Sequence, residues 1–345
     1  MKLNHPLALV LSGGNALAAY QAGVFEALDA AGLRPDWIAG ASAGAINGAL
    51  IAGNPPAERV ARLRAFWRPG EAGPAAGPVD DWRRTMAVSA TLLAGRADAF
   101  TPRNLFFPAL PFGDPEPPSL FDTIPLQDAL TRLVDYQRLN AGTPRFSVGA
   151  VDVETGDDVI FDTAEGPIGP DQLRASAAMM PVFPPVDVEG RLLADAGISA
   201  NLPLDAVLGA LTDERLLLVA VDLLPPEGRR PTTLSEVAER QQDLVFAAQS
   251  RRAITAWGRL FAERAAAGRP APAVTLLHLI YADQEREVVG KAFDFSAATI
   301  AERWGKGVRD AGKMIRMLED GRIVVGDKPG LHVHRLAAAR AMAAT

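Results

Sequence analysis

Hydrophobic positions along this chain switch between two periods. Leu7–Leu11 is an unbroken apolar run that ends at Ser12-Gly13-Gly14, as a strand buried on both faces of a parallel sheet reads. Residues 16–31 then space Leu17, Tyr20, Val24, Phe25 and Leu28 as a helix and stop at Gly32. A second short strand over 35–39 enters Gly40-Ala-Ser-Ala-Gly44, and an Ala-rich helix runs on to residue 52, broken by Gly53-Asn54-Pro55-Pro56. Residues 57–68 predict a helix with Val60, Leu63, Phe66 and Trp67 on one side. From 69 to 118 Pro and Gly are dense; one helix is expected near 85–93, and the rest reads as a loop carrying Phe100, Phe106, Phe107 and Phe112.

Order then returns. The pattern predicts a helix at 126–133, a strand at 145–153 with a hairpin partner at 158–161, a short helix at 171–178 and a strand edge at 191–194. A helix at 203–211, a buried strand at 216–222 and a polar linker at 225–231 follow. After these come one long helix at 233–267, a strand at 274–281 and a helix at 300–318. His332 and His334 fall in a short alternating segment, and the Ala-rich tail at 337–345 carries little pattern. Strands alternating with helices place the chain in the α/β class with a largely parallel sheet.

Composition narrows the chemistry. The 345 residues are 48% hydrophobic and 22% charged with a net charge of −6, so no basic surplus exists to neutralise phosphates, and nucleic acid is not expected as a partner. With no cysteine and four histidines, disulfides, thiol catalysis and Cys-ligated zinc are excluded, and no metal or cofactor is expected. No run of 18 apolar residues is present. Lys2 followed by apolar runs mimics a signal peptide, but the run stops at a Gly turn and fits a first strand better, so a cytoplasmic location is expected.

Three groups of residues carry candidate chemistry. Gly40-Ala41-Ser42-Ala43-Gly44 fits the G-x-S-x-G nucleophile elbow, where a strained strand-to-helix turn lifts a serine hydroxyl clear of the backbone. The helix that follows aims its N-terminus, and the Ala43 N–H, at a developing oxyanion. Ser12-Gly13-Gly14-Asn15 likewise joins a strand to a helix start; its exposed N–H groups suit a cofactor phosphate or an oxyanion, and the glycine spacing of a dinucleotide site is missing. The base is the open question. His278 lies inside a strand, His5, His332 and His334 are poorly placed, and Asp195, Asp152 and Asp222 all end strands.

Taken together these residues resemble the patatin-like phospholipase family. Leu11-Ser12-Gly13-Gly14-Asn15, Gly40-Ala-Ser-Ala-Gly44 and Asp195-Ala196-Gly197 stand in the order of its oxyanion loop, nucleophile and second catalytic residue. Tyr20-Gln21-Ala22-Gly23-Val24, Asn47, and the stretch from Ser176 to Phe183-Pro184-Pro185 add to the likeness. The resemblance implies a three-layer α/β/α fold with a mainly parallel central sheet and a catalytic domain over 1–222. The extension over 223–345 is expected on the same sheet. It implies an acyl-ester hydrolase acting on lipid or another hydrophobic ester, with peripheral membrane contact through apolar loops. Ser42 would be the nucleophile and Asp195 the proton acceptor of a dyad, and Gly13, Gly14 and Asn15 would form the oxyanion hole. A catalytically weak lipid-binding or regulatory protein on the same fold is the alternative. The chain departs from the family pattern at Asn15 (the third loop glycine), at Leu17 (a frequent Arg or Lys), at Ala18 (a glycine) and at Ala196. The last is expected to strain its turn if the backbone there needs positive φ.

Overall fold

The computed structural model describes residues 5–71, 73–103 and 118–337. In chain order, β1 (Leu7–Leu11) leads through a 3-10 turn (Asn15–Ala18) into α1 (Ala19–Ala30), and β2 (Trp37–Gly40) leads into α2 (Ala43–Ala52) and α3 (Arg59–Trp67). Then come α4 (Pro78–Ala94), the short strands β3 (Thr101–Pro102) and β4 (Phe121–Asp122), α5 (Ile124–Leu133) and the single turn α6 (Tyr136–Leu139). β5 (Arg145–Asp152), β6 (Asp158–Asp162), α7 (Pro170–Ser176), β7 (Val186–Val188) and β8 (Arg191–Asp195) follow. The chain continues through α8 (Asp205–Leu208), β9 (Arg215–Asp222), α9 (Leu234–Ala266), β10 (Ala273–Ile280), α10 (Ala297–Glu319) and β11 (Gly330–Ala337).

The described residues form a nine-stranded sheet in the order β11-β10-β9-β1-β2-β5-β8-β7, with β6 also on β5. β11, β10, β9, β1, β2 and β5 run parallel, β6 and β8 run antiparallel to β5, and β7 pairs antiparallel with β8. The expectation of an α/β fold with a mainly parallel central sheet is met. β1 explains the three layers. Leu7, Leu9 and Leu11 pack into a core with α1, α2, α3 and α10, whereas Ala8 and Val10 pack into a second core with α8 and α9. Because successive side chains point to opposite faces, an unbroken apolar run is what a strand covered on both sides requires. β9 repeats the division, with Leu217, Val219 and Val221 on one face and Leu216, Leu218 and Ala220 on the other.

Short elements aside (β3, β4, α6 and β7, none of them expected), two elements differ most from the pattern-based reading. α4 starts at Pro78, seven residues ahead of the expected helix. Its first turn carries Pro at the start and Asp80 and Asp81, all good helix openers. Its inward face is ionic: Asp80 is fully buried against Arg83, Arg84 and Arg286, and Arg84 also pairs with Glu287 and Glu302. Apolar spacing cannot reveal such a face. β11 is the second, an edge strand parallel to β10 built from the alternating segment around His332 and His334. The helix expected at 203–211 shortens to α8. Phe106, Phe107 and Phe112 lie outside the described residues.

Candidate active site

One edge of β5 brings the two candidate residues together. β2 pairs along that edge as far as Gly40 opposite Val148. β8 takes it over at once, antiparallel, with Asp195 opposite Ala150. β6 occupies the other edge. β2 therefore ends at Gly40, two residues before Ser42, and β8 ends at Asp195, the two strands running toward each other along the same neighbour.

Ser42 precedes α2 with φ 54° and ψ −128°, a left-handed conformation that a non-glycine residue adopts only under constraint. The constraint is close packing. A Cβ on Gly44 would sit 2.3 Å from the Leu11 carbonyl oxygen and 2.6 Å from that of Ser12, so only glycine lets α2 start against the end of β1. The Ser42 N–H donates to the Ser176 hydroxyl oxygen at 3.0 Å. Behind it lies a buried polar set: Asn47 donates to the Ala18 carbonyl and to Gln21, Trp67 donates to Asn47 at 2.7 Å, and Gln21 donates to the Ser12 carbonyl.

Asp195 is 5% exposed and accepts from the Gly197 N–H at 2.7 Å. Burial raises its pKa to about 6, against the opposing pull of the nearby Ser42 hydroxyl and of the Gly197 N–H. Ala196 begins a 3-10 turn and does not have positive φ, so the expected strain is absent. Its methyl instead faces Gly149 of β5, where a further Cβ would approach it to 3.2 Å.

The glycine loop departs from expectation in one respect. The Gly13 N–H, expected in the oxyanion hole, donates to the Asn201 carbonyl at 3.0 Å and so is already engaged. Gly13 serves by its lack of a side chain, since a Cβ there would meet the Ser42 Cβ at 2.9 Å. The N–H groups of Gly14, Asn15 and Ala43 find no acceptor among the described residues, and all three residues line the cavity that holds Ser42. Asn15 has φ 49°, where asparagine is the least strained substitute for glycine. Leu17, in the place of a frequent family Arg or Lys, is buried in the apolar wall of the cavity.

The rival groups are accounted for elsewhere. His278 lies 3.2 Å from Asp222, both buried, and neither lines the cavity. Asp152 takes Arg191 and the backbone of its own turn.

Three contributors escaped the sequence reading. Asn201 accepts from Gly13 and donates back to the Gly13 carbonyl at 3.3 Å. Gln249 of α9 donates to the Gly197 carbonyl at 3.1 Å and accepts from the Asn201 N–H at 3.0 Å. α9 also presents Ala238, Gln242, Val245, Phe246 and Gln249 to the cavity at helical spacing. That stripe is the one signal in the sequence, and its mixed polarity conceals it. The cavity encloses about 730 Å³, and along its wall Phe100 packs at an angle against Phe183 and edge-on against Phe295.

Among solved structures, the chain is similar to VipD from Legionella pneumophila, with TM-score 0.38 and 12% identity over 93% of this chain and 78% of that one. It is also similar to ExoU of Pseudomonas aeruginosa in its complex with SpcU, with TM-score 0.35 and 15% identity over 89% and 52%. These likenesses are too distant to bear on the site. An uncharacterized NTE family protein of Mycobacterium tuberculosis (strain CDC 1551 / Oshkosh) is 30% identical over 216 residues, 62% of this chain and 30% of that protein. The chain thus matches less than a third of that relative's length. A family model described as patatin-like phospholipase matches residues 9–208, and one described as patatin phospholipase matches 258–321. With the first match spanning more than half of its length, the chain belongs to the patatin-like phospholipase family.

Proposed function

We propose that the chain is a serine acyl-ester hydrolase acting on lipid or a similar hydrophobic ester, through a dyad of Ser42 and Asp195. The observation that carries this reading is a strained serine beside a buried carboxyl whose pKa is raised to about 6, both lining one apolar cavity. A carboxylate with that pKa is ionised at neutral pH and is a stronger base than an ordinary aspartate.

The reaction runs in two halves. Asp195 takes the Ser42 proton as the Ser42 oxygen attacks the ester carbonyl. The carbonyl oxygen gains the electron pair and is held by the N–H groups of Gly14, Asn15 and Ala43. The tetrahedral intermediate collapses, the C–O bond to the alcohol breaks, and Asp195 returns the proton to the departing oxygen. Asp195 then accepts a proton from water, which attacks the acyl-serine. The acid leaves as the proton returns to Ser42. Alcohols leave more readily than amines, so esters suit a carboxylate base better than peptides.

A lipid substrate is further supported at the cavity mouth. Met180, Ile198, Val245 and Val289 line the cavity while remaining 40%, 54%, 50% and 42% exposed, an apolar rim suited to a lipid surface. Among the described residues no helix is long and apolar enough to cross a membrane, so contact would be peripheral. We assign the chemistry to residues 1–222 and the closing wall of the cavity to 223–345, through α9.

The test is labelling by a fluorophosphonate and turnover of p-nitrophenyl esters of graded chain length, with Ser42→Ala and Asp195→Asn alongside. Labelling and turnover by wild type alone are expected. A folded wild type that does neither would leave the lipid-binding alternative in its place.

A further inference from the structure

Two cations line the cavity among the described residues, Arg96 and Lys291. Lys291 is matched: its ammonium lies 2.9 Å from both Asp243 oxygens, 2.8 Å from Gln284 and 3.5 Å from Glu239. Arg96 is not. No carboxylate among the described residues pairs with it, and Asp98, whose charge it feels, is paired with Arg68. One of its N–H groups goes to the Phe66 carbonyl. The guanidinium is packed among aromatic faces, 4.6 Å from the Phe66 ring centre, 4.8 Å from Phe295 and 5.6 Å from Trp67. Its backbone is fixed by a two-way bridge to Phe100, each bond 2.8 Å. Burial lowers its pKa to about 10, which leaves it charged at neutral pH.

Arg96 is half-buried, and a partly desolvated cation without a counter-ion is costly, since buried charges are normally paired. Aromatic faces offset only part of that cost. The remaining guanidinium N–H groups form a planar fork, a geometry that takes two oxygens of one anion. In a cavity of about 730 Å³, large enough for a lipid, the missing anion can arrive with the substrate. We propose that Arg96 is the anion anchor of this pocket and takes the phosphate oxygens of a glycerophospholipid whose ester reaches Ser42. This rests on the acyl-hydrolase reading and sharpens it: the enzyme prefers phosphate-bearing lipids to neutral esters, and this residue sets the preference.

The test compares dihexanoyl phosphatidylglycerol, dihexanoylglycerol and p-nitrophenyl hexanoate as substrates of wild type, Arg96→Gln and Arg96→Lys. Arg96→Gln keeps an N–H for the Phe66 carbonyl. Loss of a charge-assisted pair lowers kcat/KM for the phospholipid about 10- to 100-fold, mainly through KM. The two neutral esters stay at wild-type rates, and Arg96→Lys recovers part of the loss. An equal loss on all three substrates would make Arg96 a structural rivet and overturn the proposal. Binding to Ser42→Ala protein, with Arg96 intact, decides the matter should Arg96→Gln not fold. Preference for the phospholipid over dihexanoylglycerol supports the proposal, and equal binding overturns it. Hexanoate separates the two sources of an anion: if it competes with Arg96-dependent strength equal to that of the phospholipid, the anchor serves the product carboxylate and the headgroup assignment falls. If wild type turns over no ester, the acyl-hydrolase reading fails by itself, and the same binding titration still decides Arg96.

Discussion

The two halves of the proposed dyad are held in different ways. Ser42 is fixed by main chain: a strand end, a helix start and a glycine without which they collide. Asp195 sits on a short turn propped by side chains from elsewhere, with Gln249 holding the Gly197 and Asn201 backbones and Asn201 tying that turn to the glycine loop. As the proposed nucleophile, Ser42 has its strain stored locally and so needs a rigid frame. As the proposed base, Asp195 needs a dry seat, because burial is what raises its pKa. The extension supplies part of that seat through α9, which gives residues after 222 a reason to share the sheet.

The comparison can be broken at either end. Ser42→Ala and Asp195→Asn should each remove turnover, by about 10⁴-fold or more in kcat, because the two act as a unit; ester hydrolysis with burst kinetics reads this out. Gly44→Val strikes the main-chain side. With backbone oxygens 2.3 and 2.6 Å from the new Cβ, it should destabilise by about 3 kcal/mol and lower Tm by several degrees, as calorimetry would show. Gln249→Leu strikes the propped side. It should leave Tm nearly intact, lower kcat about tenfold and shift the acid limb of the pH profile, since the Asp195 turn loses its brace. A fall in Tm as large as that of Gly44→Val would erase the distinction.

A subtler prediction concerns stability and pH. The folded pKa of Asp195, about 6, lies above the ordinary 3.8. The group therefore stabilises the fold fully below pH 3.8, and that contribution is lost as pH rises through 6. The ionised carboxylate leaves the protein about 3 kcal/mol less stable at pH 8 than a neutral group would. Asp195→Asn should raise Tm at pH 8 by roughly 5 °C, and the gap should close below pH 5. Equal melting at both pH values would show that burial does not perturb Asp195.

What could be read from the sequence divides along the same line. The β1 run, the elbow at Gly40–Gly44 and the turn after Asp195 are local, so short-range spacing reveals them. Gly13 was assigned a donor role it does not have, because its amide partner, Asn201, is 188 residues away. α4 was under-read since its buried face is made of paired charges. Gln249 and Arg96 were invisible for a related reason. A single polar residue on a helix, or an arginine in a Pro-rich stretch, carries no sign of the cavity it lines.

The central claim is that Asp195 alone takes the Ser42 proton. Its most direct test is the rate of Ser42 labelling by a fluorophosphonate between pH 4 and 9, in wild type and Asp195→Asn. A single ionisation near pH 6, absent from Asp195→Asn along with nearly all of the rate, is the predicted result. A wild-type rate governed by a histidine-like group that persists in Asp195→Asn, and vanishes on replacing His278, would contradict it.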